Sequence, residues 1–113
     1  MATDIRAELK NCGVSAQKTR LVVDMVRGKS AVEALATLQF ANKLAATHIG
    51  QLINSAVANA EENFGVSRDD LYVYKITADE APTRKWRRFG ARGRFKPLLK
   101  RSSHITVVLR EKE

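Results

Sequence analysis

TRKWRRFGARGRFKPLLKRSSH, residues 83–104, carries nine Lys or Arg residues, three large aromatics and two glycines, with no Asp or Glu. A segment of that composition cannot bury itself, because each cation taken out of water without a partner costs several kcal/mol. Two runs with strand grammar bracket it, LYVYKITA (71–78) and HITVVLR (104–110), both rich in β-branched residues. Alternation predicts Tyr72, Tyr74, Ile76 and Ala78 on one face of the first, and Ile105, Val107 and Leu109 inward on the second. The runs stand 25 residues apart, far more than a hairpin loop needs. If both continue toward a tip near residues 89–93, each arm gains roughly ten residues, on the order of 30 Å at ~3.3 Å per residue.

The rest of the chain is a body for that arm. Of the net charge of +8, the stretch supplies +9, and the other 91 residues sum to −1. A solubility device would be spread over the surface, whereas this charge is concentrated and points to a polyanionic partner. The length of 113 residues fits one domain with one modest core. We divide it into a globular body of about 1–80 and 104–113 and a basic hairpin of about 81–103.

Ahead of the arm, Ile5, Ala7 and Leu9 alternate with Arg6, Glu8 and Lys10, which predicts a half-buried strand over 4–11. Gly13 allows a turn, Ser15 can cap a helix, and Gly28 suits its end. Leu21, Val22, Met25 and Val26 share a face of that helix. Ser30 and Glu33 have capping-box spacing before a helix whose Val32, Leu35 and Leu38 recur every three positions. The longest helical pattern, about 42–63, carries Leu44, Ala45, Ile49, Leu52, Ile53, Ala56, Val57 and Ala60 in one stripe, and Gly65 closes it. The expected fold class is α+β: three helices packed on a small antiparallel sheet, with two strands extended as a long protruding β-hairpin.

The arm has the chemistry of a nucleic-acid probe. Six of its cations are arginines, at 84, 87, 88, 92, 94 and 101, whose planar forks bind phosphate bidentately and stack on bases. Trp86, Phe89 and Phe95 are interleaved with them and can stack on unpaired bases at roughly 1–3 kcal/mol each. Neutralising six phosphates would give log K a slope of about −4 to −5 against log salt. An isolated two-stranded ribbon is marginal in water, so the free arm is expected to order against a polyanion.

Other chemistries find little support. Cys12, His48 and His104 do not have metal-ligand spacing, and one cysteine makes no internal disulfide. Asp69–Asp70 and Asp79–Glu80 are expected in turns as local counter-charges, since adjacent strand residues face opposite ways. No run approaches the roughly 18 apolar residues of a spanning helix, and MATDIRAELK lacks the layout of a secretory signal. The expectation is a soluble intracellular protein with no catalytic site, metal or cofactor.

KRSSHITVVL (100–109) after ARGR (91–94), SAQKTRLVVDMVRGK (15–29), INSAVANAEENFG (53–65) and DEAP (79–82) together resemble the large-subunit ribosomal protein L-twenty-two family, in its order and spacing. The resemblance implies a non-enzymatic structural constituent of the large subunit that binds 23S-type rRNA and acts early in subunit assembly. It implies a hairpin tip lining the nascent-peptide exit tunnel, where changes alter macrolide response. By the same resemblance, Arg84, Lys85, Trp86, Arg87, Arg88, Arg92, Gly93, Arg94, Lys96, Lys100, Arg101, Ser102, Ser103 and His104 are expected to contact rRNA from the hairpin. Lys18, Arg20, Arg27 and Lys29 are expected to do so from the body. Lys85 to Arg88 with Phe89, Gly90, Ala91 and Arg92 are the expected tunnel-lining tip. The implied partners are rRNA, neighbouring ribosomal proteins and the nascent polypeptide, with no membrane, for a monomer within a cytoplasmic or organellar ribosome. The alternative function is a free-standing RNA or DNA chaperone using the same arm.

Overall fold

Alternation of Ile5, Ala7 and Leu9 with charged neighbours makes the first strand, β1 (Asp4–Cys12), of a fold seen here in a computed structural model that describes residues 4–41, 43–82, 84–89 and 95–112. Three helices follow: α1 (Ala16–Val26), α2 (Ala31–Phe40) and α3 (Leu44–Phe64). The Ser15 hydroxyl accepts from the Lys18 amide at the start of α1, and the Ser30 hydroxyl accepts from the Glu33 amide at the start of α2. These bonds satisfy amides that the helices leave open. Gly65 ends α3 with φ 65°, a left-handed conformation in which a Cβ is costly.

A 3₁₀ turn at Arg68–Asp70 then leads into β2 (Leu71–Glu80), β3 (Arg84–Phe89), β4 (Phe95–Lys100) and β5 (Ser103–Glu111). β5 is the centre of an antiparallel sheet of order β1-β5-β2, and β3 pairs with β4 in a separate two-stranded ribbon. The helices cover one face of the sheet, so the fold is the expected α+β one. Asp69 and Asp70 lie in the 3₁₀ turn as expected, whereas Asp79 and Glu80 are the last residues of β2, opposite His104 and Ser103.

The core lies between helices and sheet. Val22, Val23, Ile49, Ile53, Leu71, Val73, Ile76, Ile105, Val107 and Leu109 are wholly buried, with Ile5 and Val57 beside them. Ala45, Ala46, Ala56 and Ala60 of α3 are buried too, and their small side chains let the helix lie close to the strands. Three expected core residues are outside it: Leu21, Val32 and Leu44 are 57%, 44% and 68% exposed. α1 buries Thr19, Val22, Val23 and Val26, and a polar threonine at the start of that stripe hides its true phase. In α2, Ala31, Ala34 and Leu38 are the inward residues, so of the expected series Leu38 is buried, Leu35 is partly buried and Val32 faces out. Leu44 opens α3 ahead of the stripe.

The two tyrosines also depart from expectation. Val73 pairs with Leu109 and Lys75 with Val108, so Tyr74 is an extra residue, a β-bulge. The bulge changes the phase of β2: Leu71 and Val73 point inward before it, Ile76 and Ala78 after it. Tyr72 is left half-buried and Tyr74 exposed, with their rings edge-to-face at 6.3 Å. The Arg110 guanidinium sits 3.4 Å from the Tyr74 ring centroid, and its Nε and Nη2 donate to the Asp4 carboxylate at 2.6 and 3.2 Å. One side chain of the central strand thus touches both edge strands.

The Arg110 hydrogen bond holds the Asp4 carboxyl below its ordinary pKa. A depressed carboxyl contributes stability that is present above its unfolded pKa and lost as pH falls through the folded one. In an NMR titration the Asp4 carboxyl carbon is expected to move at lower pH than a free aspartate, and Arg110→Gln should bring it back. A normal midpoint in the parent chain would show that the pair does not form in solution.

Candidate nucleic-acid interface

Ribbon and body are joined at an irregular root. Glu80 pairs with Ser103 and Arg84 with Lys100, which leaves three residues on the outgoing arm against two on the return. The strands therefore slip by one residue where the ribbon leaves the sheet. Inside the root, the Ala81 amide donates to the Ser102 carbonyl at 3.0 Å. Beyond it β3 and β4 pair from Arg84↔Lys100 to Phe89↔Phe95, and neither packs substantially on the body. The radius of gyration is 17.1 Å and the extents are 63 × 25 × 18 Å. A compact chain of this length would have a radius near 13 Å, by about 2.2·N^0.38. The arm protrudes.

Register sets like charges opposite each other, Arg84 with Lys100 and Arg88 with Lys96. Such pairs oppose strand pairing unless an anion lies over them. Arg84, Lys85, Trp86, Arg87, Arg88 and Phe89 form β3, and Lys96 and Lys100 lie on β4. Gly90, Ala91, Arg92, Gly93 and Arg94 lie outside the described residues.

The serines at the base of the return arm divide. Arg101 is exposed and Ser102 half-buried, its hydroxyl 3.5 Å from the Pro82 carbonyl. Ser103 is wholly buried; its hydroxyl donates to the Val14 carbonyl at 2.9 Å and lies 3.3 Å from the Thr19 hydroxyl. Thr19 in turn donates to the Ser15 carbonyl at 2.8 Å. Each hydroxyl carries one hydrogen, and the two carbonyls take both. The pair pins the start of α1 to the root of the arm, and the Ser103 side chain is not presented to a partner. His104 is half-buried on β5, opposite Asp79.

The body cations are arranged in ways the sequence did not signal. Arg20 and Arg27 are seven residues apart, two turns of α1, so they share a face. Arg20 Nε donates to the Ala78 carbonyl at 3.0 Å, and Arg27 Nη2 to the Ile76 carbonyl at 3.1 Å, both on the outer edge of β2. Arg27 also pairs with Asp24 at 2.8 Å. Farther along the same edge, the Gly28 amide donates to the Val73 carbonyl at 3.1 Å, the Val73 amide donates to the Lys29 carbonyl at 2.8 Å, and Ser30 bridges to Tyr72. Lys29 Nζ reaches the Thr37 hydroxyl at 3.3 Å. Of these four cations, only Lys18 is exposed with no charged or hydrogen-bonded side-chain partner among the described residues.

Among the described residues no group of three His, Cys, Asp or Glu is placed to hold a metal, and no helix is long and apolar enough to cross a membrane. A small α+β body carrying a cationic two-stranded arm defines the class, that of a basic protein built for a polyanionic partner. The family model for ribosomal protein L22p/L17e matches residues 7–110. A large ribosomal subunit protein uL22 from Pediococcus pentosaceus is 46% identical over 111 residues, 98% of this chain and 94% of the relative. One from Dehalococcoides mccartyi is 50% identical over 106 residues, 94% of this chain and 97% of the relative. The chain belongs to the ribosomal protein L22p/L17e family, and is a structural protein without enzymatic activity.

Proposed function

We propose that the chain is a structural constituent of the large subunit of the cytoplasmic ribosome, where its β3–β4 arm binds 23S-type rRNA and supports subunit assembly. The observation that carries this reading is the arm itself: a strand pair in which register opposes like charges and which, among the described residues, does not pack substantially on the body. Phosphates between the opposed cations turn that repulsion into attraction, and phosphate contacts of this kind position a protein without reading sequence. The body, about 1–80 and 104–113, anchors the arm, about 81–103. Arg84, Lys85, Arg87, Arg88, Lys96, Lys100 and Arg101 supply the cationic contacts, while Trp86, Phe89 and Phe95 stack on unpaired bases or fill gaps between RNA helices. The tip, from Lys85 through Arg92, lines the nascent-peptide exit tunnel, and the chain works there as a monomer among neighbouring ribosomal proteins. Two uL22 proteins covering nearly the whole chain support the assignment.

The direct test is sedimentation of a cell lysate on a sucrose gradient after a moderate-salt wash, with the chain located by mass spectrometry. Stoichiometric recovery in the large-subunit peak is expected. Recovery at the top of the gradient, or spread over mixed nucleic acids, would instead favour a free-standing chaperone and overturn the reading.

A further inference from the structure

The body's sheet has two outer edges, and the fold covers one of them. Along β2 the edge is taken up by Arg20, Arg27 and the 28–30 segment. β1 pairs with β5 alone, and among the described residues no other segment pairs with its far side. Alternate amides and carbonyls of such a strand point outward, where an incoming strand can bond to them. Ala7 and Leu9 of β1 pack on the core yet remain only partly buried.

The sequence of that strand is self-complementary. When two copies of β1 run antiparallel about a two-fold axis at Ala7, Arg6 faces Glu8 of the second copy and Asp4 faces its Lys10, each twice. Ile5 faces Leu9 of the second copy, and Ala7 faces its own equivalent. The four charged residues are exposed and the three apolar ones lie on the core side, so both faces of the sheet continue across the junction. Arg6 already pairs with Glu8 of its own chain, and the junction therefore gathers four charges of alternating sign. Asp4 keeps its bond to Arg110 beside them. Neighbouring registers fail. A slip of one residue sets apolar positions opposite charged ones. An axis at Arg6 opposes Arg6 to itself and Asp4 to Glu8, and an axis at Glu8 opposes Glu8 to itself and Arg6 to Lys10. Like charges directly opposite each other destabilise a strand pair.

We propose that the free chain forms a two-fold dimer by pairing β1 with β1 of a second copy, which joins the two three-stranded sheets into one. The arms do not oppose this arrangement. Ser103, where the return arm enters the sheet, pairs with Cys12 at the far end of β1. Antiparallel pairing sends those two ends, and the arms with them, in opposite directions. The bodies that meet carry only −1 each outside residues 83–104. A two-fold contact uses the same patch on both copies. With β2 covered, neither body then offers a further sheet edge, so strand addition through the bodies stops at two. The inference concerns the chain outside the ribosome and goes beyond its role there.

The experiment is sedimentation equilibrium of the full-length chain, stripped of nucleic acid and kept reduced, over a range of concentrations. The parent is expected to rise from 12.6 kDa toward twice that mass as concentration increases. Arg6→Glu sets like charges opposite each other on both sides of the axis and should weaken association about tenfold or more. Adding Glu8→Arg makes the opposed charges unlike again, and association should return to within about threefold of the parent. Circular dichroism checks that both variants fold. Amide exchange gives a second reading: those β1 amides that do not bond to β5 should slow as concentration rises. A parent that stays at 12.6 kDa, or β1 amides indifferent to concentration, would overturn the dimer. So would a single variant that associates like the parent, or a double variant that fails to recover. rRNA binding is not read out, so any of these results leaves the function of the arm where it stands.

Discussion

Reversing Arg84, Arg87 and Arg88 together to Glu is expected to remove the chain from large-subunit particles while leaving its melting curve unchanged. The substitutions lower the charge of residues 83–104 from +9 to +3, and they fall on one six-residue strand. An arm that neutralises six phosphates loses about 10³-fold in affinity between 50 and 200 mM salt; with three contacts gone the loss is about 40-fold, because the slope is roughly halved. Absolute affinity falls further, since each introduced carboxylate repels the phosphate its arginine had bound. The core described lies in the body and β3 does not pack substantially on it, so thermal unfolding should follow the parent's. Normal incorporation of the triple variant into washed subunits would end the case for the arm as the principal rRNA contact.

The second large effect is expected from a single oxygen. Ser103→Ala takes the donor from the Val14 carbonyl and leaves the Thr19 hydroxyl facing a methyl group, in a site with no solvent access. A buried polar group left without its partner costs about 1–3 kcal/mol. At about 2.1 cal/mol/K per residue the unfolding entropy of this chain gives roughly 4 °C of melting temperature per kcal/mol, hence a fall of about 4–12 °C. Ser102→Ala, one residue earlier, removes only a long contact to the Pro82 carbonyl at 3.5 Å and should stay within about 0.5 kcal/mol of the parent. Equal melting temperatures for the two variants would refute the pin between α1 and the root.

That contrast marks where sequence stops being informative. Features that depend on neighbours in the chain were legible: the serines that cap α1 and α2, Gly65 at the end of α3, the stripe of α3, and the two strands that bracket a run of cations. Features that depend on a partner across space were not. The serines at 102 and 103 look alike in sequence, and only the packing of α1 against β5 separates them. Tyr72 and Tyr74 fit an alternating pattern with Ile76 and Ala78, and the bulge at Tyr74 broke its phase. Arg20 and Arg27 are expected RNA contacts by the family resemblance alone, and nothing in the sequence signals that each also hydrogen-bonds to a carbonyl of a strand about fifty residues away.

The outer edge of β2 carries a consequence of its own. An uncovered strand edge is a template on which a second copy can dock and begin a polymer. Here two arginines and the 28–30 segment occupy that edge from Tyr72 to Ala78. A ribosomal protein exists alone for some interval between its synthesis and its meeting with RNA. During that wait the highly charged arms keep one another apart by repulsion, and the covered edge of β2 is one place fewer for copies to join.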